Sequence, residues 1–207
     1  IFNASSIRKN KTMNFFKTWK TRPEILLMVM AAAMPIAFWA WVVLLNNFTV
    51  EVASFTGKEI GILQSLREVP GFLSFLVVYL LLIIAEQRLA LLSLFILGVG
   101  VALTGYFPTI IGLYITTVIS SIGFHYYEAC HQSLSLQWLD KKTAPERMGL
   151  IYSVASVAKF LVLGAIFTVY LLSLPEISWQ ALASSTGLAT GLNSYQFTYL
   201  FAGLVTC

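Results

Sequence analysis

The chain has 207 residues, 58% of them hydrophobic and only 11% charged, with a mean hydropathy of +0.81. A soluble domain covers its surface with about 25% charged residues, so this composition excludes an ordinary water-soluble fold and indicates an integral membrane chain. The net charge of +4 and the pI near 9.1 do not indicate nucleic acid, because the basic residues collect at the ends of apolar segments and form no stripe along one face.

The first Met is Met13, ahead of a basic lead-in, and translation is expected to start there. Residues 1–24 read as a basic cytoplasmic tail, with Arg8, Lys9, Lys11, Lys17, Lys20 and Arg22, and 25–207 as a transmembrane bundle. Crossing about 30 Å of hydrocarbon takes roughly 20 helical residues. Apolar runs of that order extend over Ile25–Leu45, Ile60–Ile84, Leu89–Tyr106, Ile110–Leu139 and Leu150–Leu172. A sixth begins near Tyr195 and is 13 residues long at Cys207, which reads as a span cut short. The first run lacks a small-residue cleavage site and is expected to be a retained helix. The fold class is therefore all-α, a polytopic helical bundle of five complete spans and a truncated sixth.

Lys and Arg set the orientation. The tail is basic, and Arg88 in the second turn and Lys141, Lys142 and Arg147 in the fourth fall on the same side if crossings alternate. The loops after the first and fifth spans carry Lys58 alone and no base at all, respectively. The N-terminus is expected to be cytoplasmic. Trp19, Phe48, Trp138 and Trp179 fall where interfacial aromatic belts are expected.

Ionisable residues inside a lipid-spanning helix are rare unless they face a protein interior or a water-filled path. The fourth span contains His125, Glu128, Cys130 and His131. At helical spacing Glu128 is central on one face, with His125 and His131 a turn to either side. Glu128 is the leading candidate: its proton affinity reflects a competition between desolvation among Phe124, Tyr126 and Tyr127 and the approach of Lys159 from the fifth span, expected at similar depth. The same two residues also suit a static interhelical pair. His125 is placed as a proton relay or a neutral core residue, and His131 nearer the interface. In the second span Arg67 and Glu68 lie about 100° apart, so one is expected to face the cavity and the other a neighbouring helix. Arg67 is the candidate substrate contact, since its guanidinium offers fixed donors to a carboxylate or phosphate, and it equally suits a structural ion pair. Pro70 is expected to kink the helix just beyond them. Trp39 and Trp41 face different directions; lipid-facing or packing roles are expected for them, with a cavity-lining role for one as the alternative. Cys130 and Cys207 lie far apart with no CxxC, so no disulfide framework, metal site or cofactor is expected.

Several local elements accompany this layout: Gly57-Lys-Glu-Ile-Gly61 opening the second helix, Pro70-Gly71 within it, Gly98 and Gly100 in the third, Ser121-Ile-Gly123-Phe in the fourth, and Glu146-Arg147-Met-Gly149 opening the fifth. Together with six spans, both ends inside, they resemble the N-terminal half of a major facilitator superfamily transporter. The resemblance implies a twelve-helix secondary transporter working by alternating access, with a missing C-terminal half as partner. It also implies a charged latch in the loop between the second and third helices, carried here by Glu86 and Arg88, which equally suit plain interfacial charges. That loop, Ala85-Glu86-Gln87-Arg88-Leu89, lacks the family's glycines and trailing bases, and the family's antiporter Arg-x-x-x-Gly element is missing from the fourth helix.

The function expected is secondary active transport of a small solute, coupled to protons, in a cell membrane, most simply the bacterial inner membrane. The substrate and coupling residues expected are Glu128, Lys159, His125, Arg67 and Glu68; no enzymatic activity and no nucleic-acid partner are expected. Two alternatives stand beside it: a membrane metal-binding enzyme or metal-ion carrier using His125, Glu128 and His131, and a non-transporting membrane subunit.

Overall fold

Apolar runs of helical length must satisfy their backbone polar groups internally in lipid, and in the computed structural model they form α-helices throughout. The structure describes residues 23–173 and 185–207, and the side chains of these apart from 170–173, 185–194 and 197. The tail expected over 1–24, with Met13 and Trp19, lies outside the described residues except for Pro23 and Glu24, and Trp179 lies outside them too.

Helix α1 is Pro23–Glu51, α2 Gly57–Phe72, α3 Val77–Leu81, α4 Glu86–Thr104, α5 Ile110–Trp138, α6 Ala144–Ser173 and α7 Ser185–Thr206. A 3-10 segment, Leu73–Leu76, joins α2 to α3, so these two form one interrupted span. Among the described residues, five spans are long and apolar enough to cross a membrane: Pro23–Glu51, Gly57–Leu81, Glu86–Thr104, Ile110–Trp138 and Ala144–Val169.

Local chemistry sets the helix ends. Pro23 opens α1, where its missing N–H costs nothing, and Glu24 complements the positive end of the helix dipole. Ser54, at φ 55°, turns the chain towards α2. A capping box starts that helix: the Thr56 N–H donates to the Glu59 carboxylate at 2.6 Å and the Thr56 hydroxyl at 2.8 Å. The Thr109 hydroxyl accepts from the Gly112 N–H at 3.1 Å at the start of α5.

Three boundaries differ from the hydropathy reading. The second span loses α-helical geometry after Pro70, whose ring leaves the preceding turn without a hydrogen-bond donor. The fifth span begins at Ala144, six residues before Leu150, because the Asp140 carbonyl accepts from the Ala144 N–H at 2.7 Å and starts the helix within the charged loop. The last helix has 22 residues and begins at Ser185, ahead of Tyr195. Its first turns are small and polar and carry little hydropathy signal.

Small residues let the helices approach closely. A Cβ on Gly123 of α5 would collide with the backbone of Leu97 and Ser93 in α4, and one on Gly100 would meet Ser120. Gly98 of α4 faces Gly203 of α7 in the same way. The Thr206 hydroxyl donates to the Ala33 carbonyl of α1 at 3.3 Å, and Phe48 of α1 packs on Tyr199 with ring centres 5.4 Å apart.

The principal pairings have a symmetry. Helix α1 packs on α6 and α7, α5 packs on α2 and α4, and α4 packs on α7. Exchanging the first three spans for the last three maps this set onto itself. Three is an odd number of crossings, so two such units would have inverted topology. At one end of the bundle Arg147 pairs with Glu24 at 3.4 Å, and the Gln137 amide donates to Glu86 at 2.6 Å. At the other, the Tyr195 hydroxyl donates to Glu51 at 2.7 Å.

Candidate solute site

Polar residues on α2 and α5 meet aromatic residues on α1 around a cavity of about 250 Å³. Its walls are Phe38, Trp39 and Val42 of α1, Arg67 and Glu68 of α2, and Ser121, Phe124 and His125 of α5. Phe38 and Phe124 stack across the α1–α5 gap, with ring centres 4.0 Å apart and an interplanar angle of 12°. The Ser121 hydroxyl donates to the backbone carbonyl of Arg67, tying α5 to α2 beside the charged pair. Gly71 leaves room for the imidazole, since a Cβ there would lie 2.7 Å from His125 Cε1.

Arg67 and Glu68 do not diverge. Their side chains bend towards each other, with a guanidinium nitrogen 2.8 Å from Glu68 Oε1 and Nε at 3.0 Å, and both line the cavity. Two flexible stems readily span the angle between adjacent helical positions. Arg67 is the less exposed of the two, at 30% against 62% for Glu68. Of the two tryptophans, Trp39 faces the cavity and Trp41 is fully buried.

The expected pairing of Glu128 with Lys159 does not form. Lys159 lies fifteen residues into α6 and Glu128 ten residues from the same end of α5, which separates them in depth by about 7 Å. The Lys159 ammonium instead sits over the Trp39 ring, 3.5 Å from its centre. Glu128 accepts a long hydrogen bond, 3.5 Å, from Gln132 on its own helix, and is not part of the cavity wall.

No protein-family model, curated protein or solved structure matches this chain. The site therefore has to be read from its own geometry. His131 is buried between helices: its Nε2 lies 3.1 Å from the Leu27 carbonyl near the start of α1 and its ring stacks on Tyr127. A carbonyl only accepts, so Nε2 donates, and the imidazole acts as an interhelical tie. Among the described residues no three His, Cys, Asp or Glu side chains gather to hold a metal ion.

The turn between α3 and α4 carries Glu86 and Arg88. Glu86 contacts a neighbouring helix end, but through the Gln137 amide, and Arg88 is exposed. The ion pair on this side is Arg147–Glu24.

Phe38, Val42, Ser121, Phe124 and Gly71 were not among the site residues expected from sequence. Two of them carried a signal: Val42 is three residues from Trp39, and Ser121 four from His125, which places each on the cavity face of its helix.

Proposed function

We propose that the chain is one half of a secondary active transporter of the major facilitator type, with the cavity between α1, α2 and α5 as part of its solute path. The observation that carries this reading is a charged and aromatic cavity inside a membrane-embedded bundle whose pairings repeat after three spans. Inverted three-span repeats with a site between them are a recurring plan of such transporters, in which one bundle rocks against another around the site. Intramembrane Arg67, Glu68, His125 and Lys159 have no comparably direct role in a passive anchor.

On this reading a second six-helix half covers the open faces of α2 and α6, where a Cβ on Gly61 or Gly149 would meet no atom within 4 Å. The N-terminus lies in the cytoplasm of a bacterial cell, on the side of Arg88, Lys141, Lys142 and Arg147. Protons are the coupling ion, with Glu128 and His125 as the exchangeable groups. The metal-carrier alternative loses support from the commitment of His131 to Leu27.

Reconstitution of the chain together with its second six-helix half into proteoliposomes with a pH-sensitive dye inside tests the reading. Solute-dependent acidification or alkalinisation, abolished by Arg67→Ala, is the expected result. A two-half assembly that inserts correctly but moves neither protons nor solute under any gradient contradicts it.

A further inference from the structure

The two charged walls of the cavity, Arg67 and Glu68, neutralise each other at 2.8 Å. Beside the cavity, Lys159 forms no ion pair with a carboxylate among the described residues. Its contact is the face of Trp39, a ring that itself lines the cavity. Glu128, the acid expected to balance it, is bonded to Gln132 and stands outside the cavity wall. An ammonium held by an aromatic face, with no carboxylate partner, gains from an anion that reaches it.

The remaining walls define the rest of the ligand. Phe38, Trp39 and Phe124 present flat apolar surface, and Phe38 and Phe124 already stack on each other. The volume of about 250 Å³ falls below the roughly 300–1,000 Å³ of drug-sized pockets. A small planar solute fits these limits and a sugar-sized polyol gains little from such walls.

We propose that this site selects small aromatic monocarboxylates, with the carboxylate drawn to Lys159 and the Arg67 guanidinium and the ring against Trp39 and the Phe38–Phe124 pair. The proposal rests on the reading of the cavity as a solute site. Lys159 acts as the charge selector: it leaves its resting place on Trp39 for the carboxylate, and the vacated indole face becomes available to the ring. Glu68 keeps Arg67 neutralised until a competing carboxylate arrives. The Lys159 ammonium beside the site disfavours amines, and neutral amides gain no charge pairing with it.

The test is a calorimetric titration of the purified chain in lipid nanodiscs with benzoate, benzamide and benzylamine, ligands of one shape and three charges. Saturable benzoate binding at least about tenfold tighter than benzamide, with no benzylamine binding, is expected. Lys159→Gln should weaken benzoate by about tenfold or more, and Lys159→Arg should restore most of it. Equal affinity for benzoate and benzamide, or preferential binding of benzylamine, overturns the proposal, and neither result depends on a variant folding. Flux measurements with the same ligands in proteoliposomes that hold the chain together with its second half separate the two readings. Benzoate binding without flux leaves the carboxylate site standing and removes the transport reading; amine flux without benzoate binding does the reverse. Neither binding nor flux overturns both.

Discussion

The Lys159 ammonium lies 3.5 Å from the centre of the Trp39 ring, joining α6 to α1 at mid-depth. A cation over an indole is attracted by the ring quadrupole, by about 0.5–1 kcal/mol when exposed and about 2 kcal/mol when desolvated. A double-mutant cycle of Trp39→Leu with Lys159→Met should therefore give a coupling of about 1–2 kcal/mol in detergent unfolding. The corresponding cycle of Glu128→Gln with Lys159→Met should be additive within about 0.5 kcal/mol. The opposite ranking would restore the Glu128–Lys159 pair.

Gly71 and His125 are matched in shape. Gly71→Ala places a methyl group 2.7 Å from His125 Cε1, and overpacking of this kind costs about 1–3 kcal/mol. The imidazole would be pushed into the cavity, so solute binding should weaken along with stability. Adding His125→Ala should recover much of the stability lost. If Gly71→Ala unfolds like the parent chain, the close approach of α2 to α5 does not hold.

At the α4–α5 contact, Gly123 packs against the Leu97 backbone. Backbone cannot yield as a flexible side chain does, so Gly123→Val should cost more than Gly71→Ala, beyond about 3 kcal/mol. Gly149→Ala, at a position with nothing within 4 Å, should leave the unfolding of the isolated chain within about 0.5 kcal/mol of the parent. Comparable losses for Gly123→Val and Gly149→Ala would contradict the packing.

In the turn between α3 and α4, Glu86 accepts from Gln137 at 2.6 Å while Arg88 is exposed. Glu86→Ala should cost about 1–2 kcal/mol, as expected for a hydrogen bond to a charged group. Arg88→Ala should stay within about 0.5 kcal/mol in the same unfolding assay. A larger effect at Arg88 would support the charge latch that the family resemblance implies.

Much of the bundle was legible because membrane spans are written in long apolar runs, and Ile25–Leu45 and Ile110–Leu139 both fall within or almost within observed helices. Boundaries failed where capping and turn chemistry carry the helix past the apolar run, as at Ala144, and where small polar residues open it, as at Ser185. Four of the five expected charged residues, His125, Arg67, Glu68 and Lys159, gather in or beside the cavity. Their partners were not legible. The six-residue shift in the start of α6 moved Lys159 off the level of Glu128, and an aromatic ring competed for it in a way that charge counting does not register. Likewise the imidazole of His131 met a backbone carbonyl of α1, a group that carries no sequence signature.

Transport through this site requires the cavity to open to each face of the membrane in turn, and cysteine labelling from the two sides measures that exposure. Val42 lines the cavity and is half-buried, so Val42→Cys can be introduced after Cys130→Ala and Cys207→Ala remove the native thiols. Right-side-out and inside-out vesicles are then treated with a membrane-impermeant thiol reagent, with and without benzoate. Labelling from both faces is expected, with benzoate shifting the ratio between them. Labelling from one face only, unchanged by any solute, would describe a fixed pocket and contradict transport through this site.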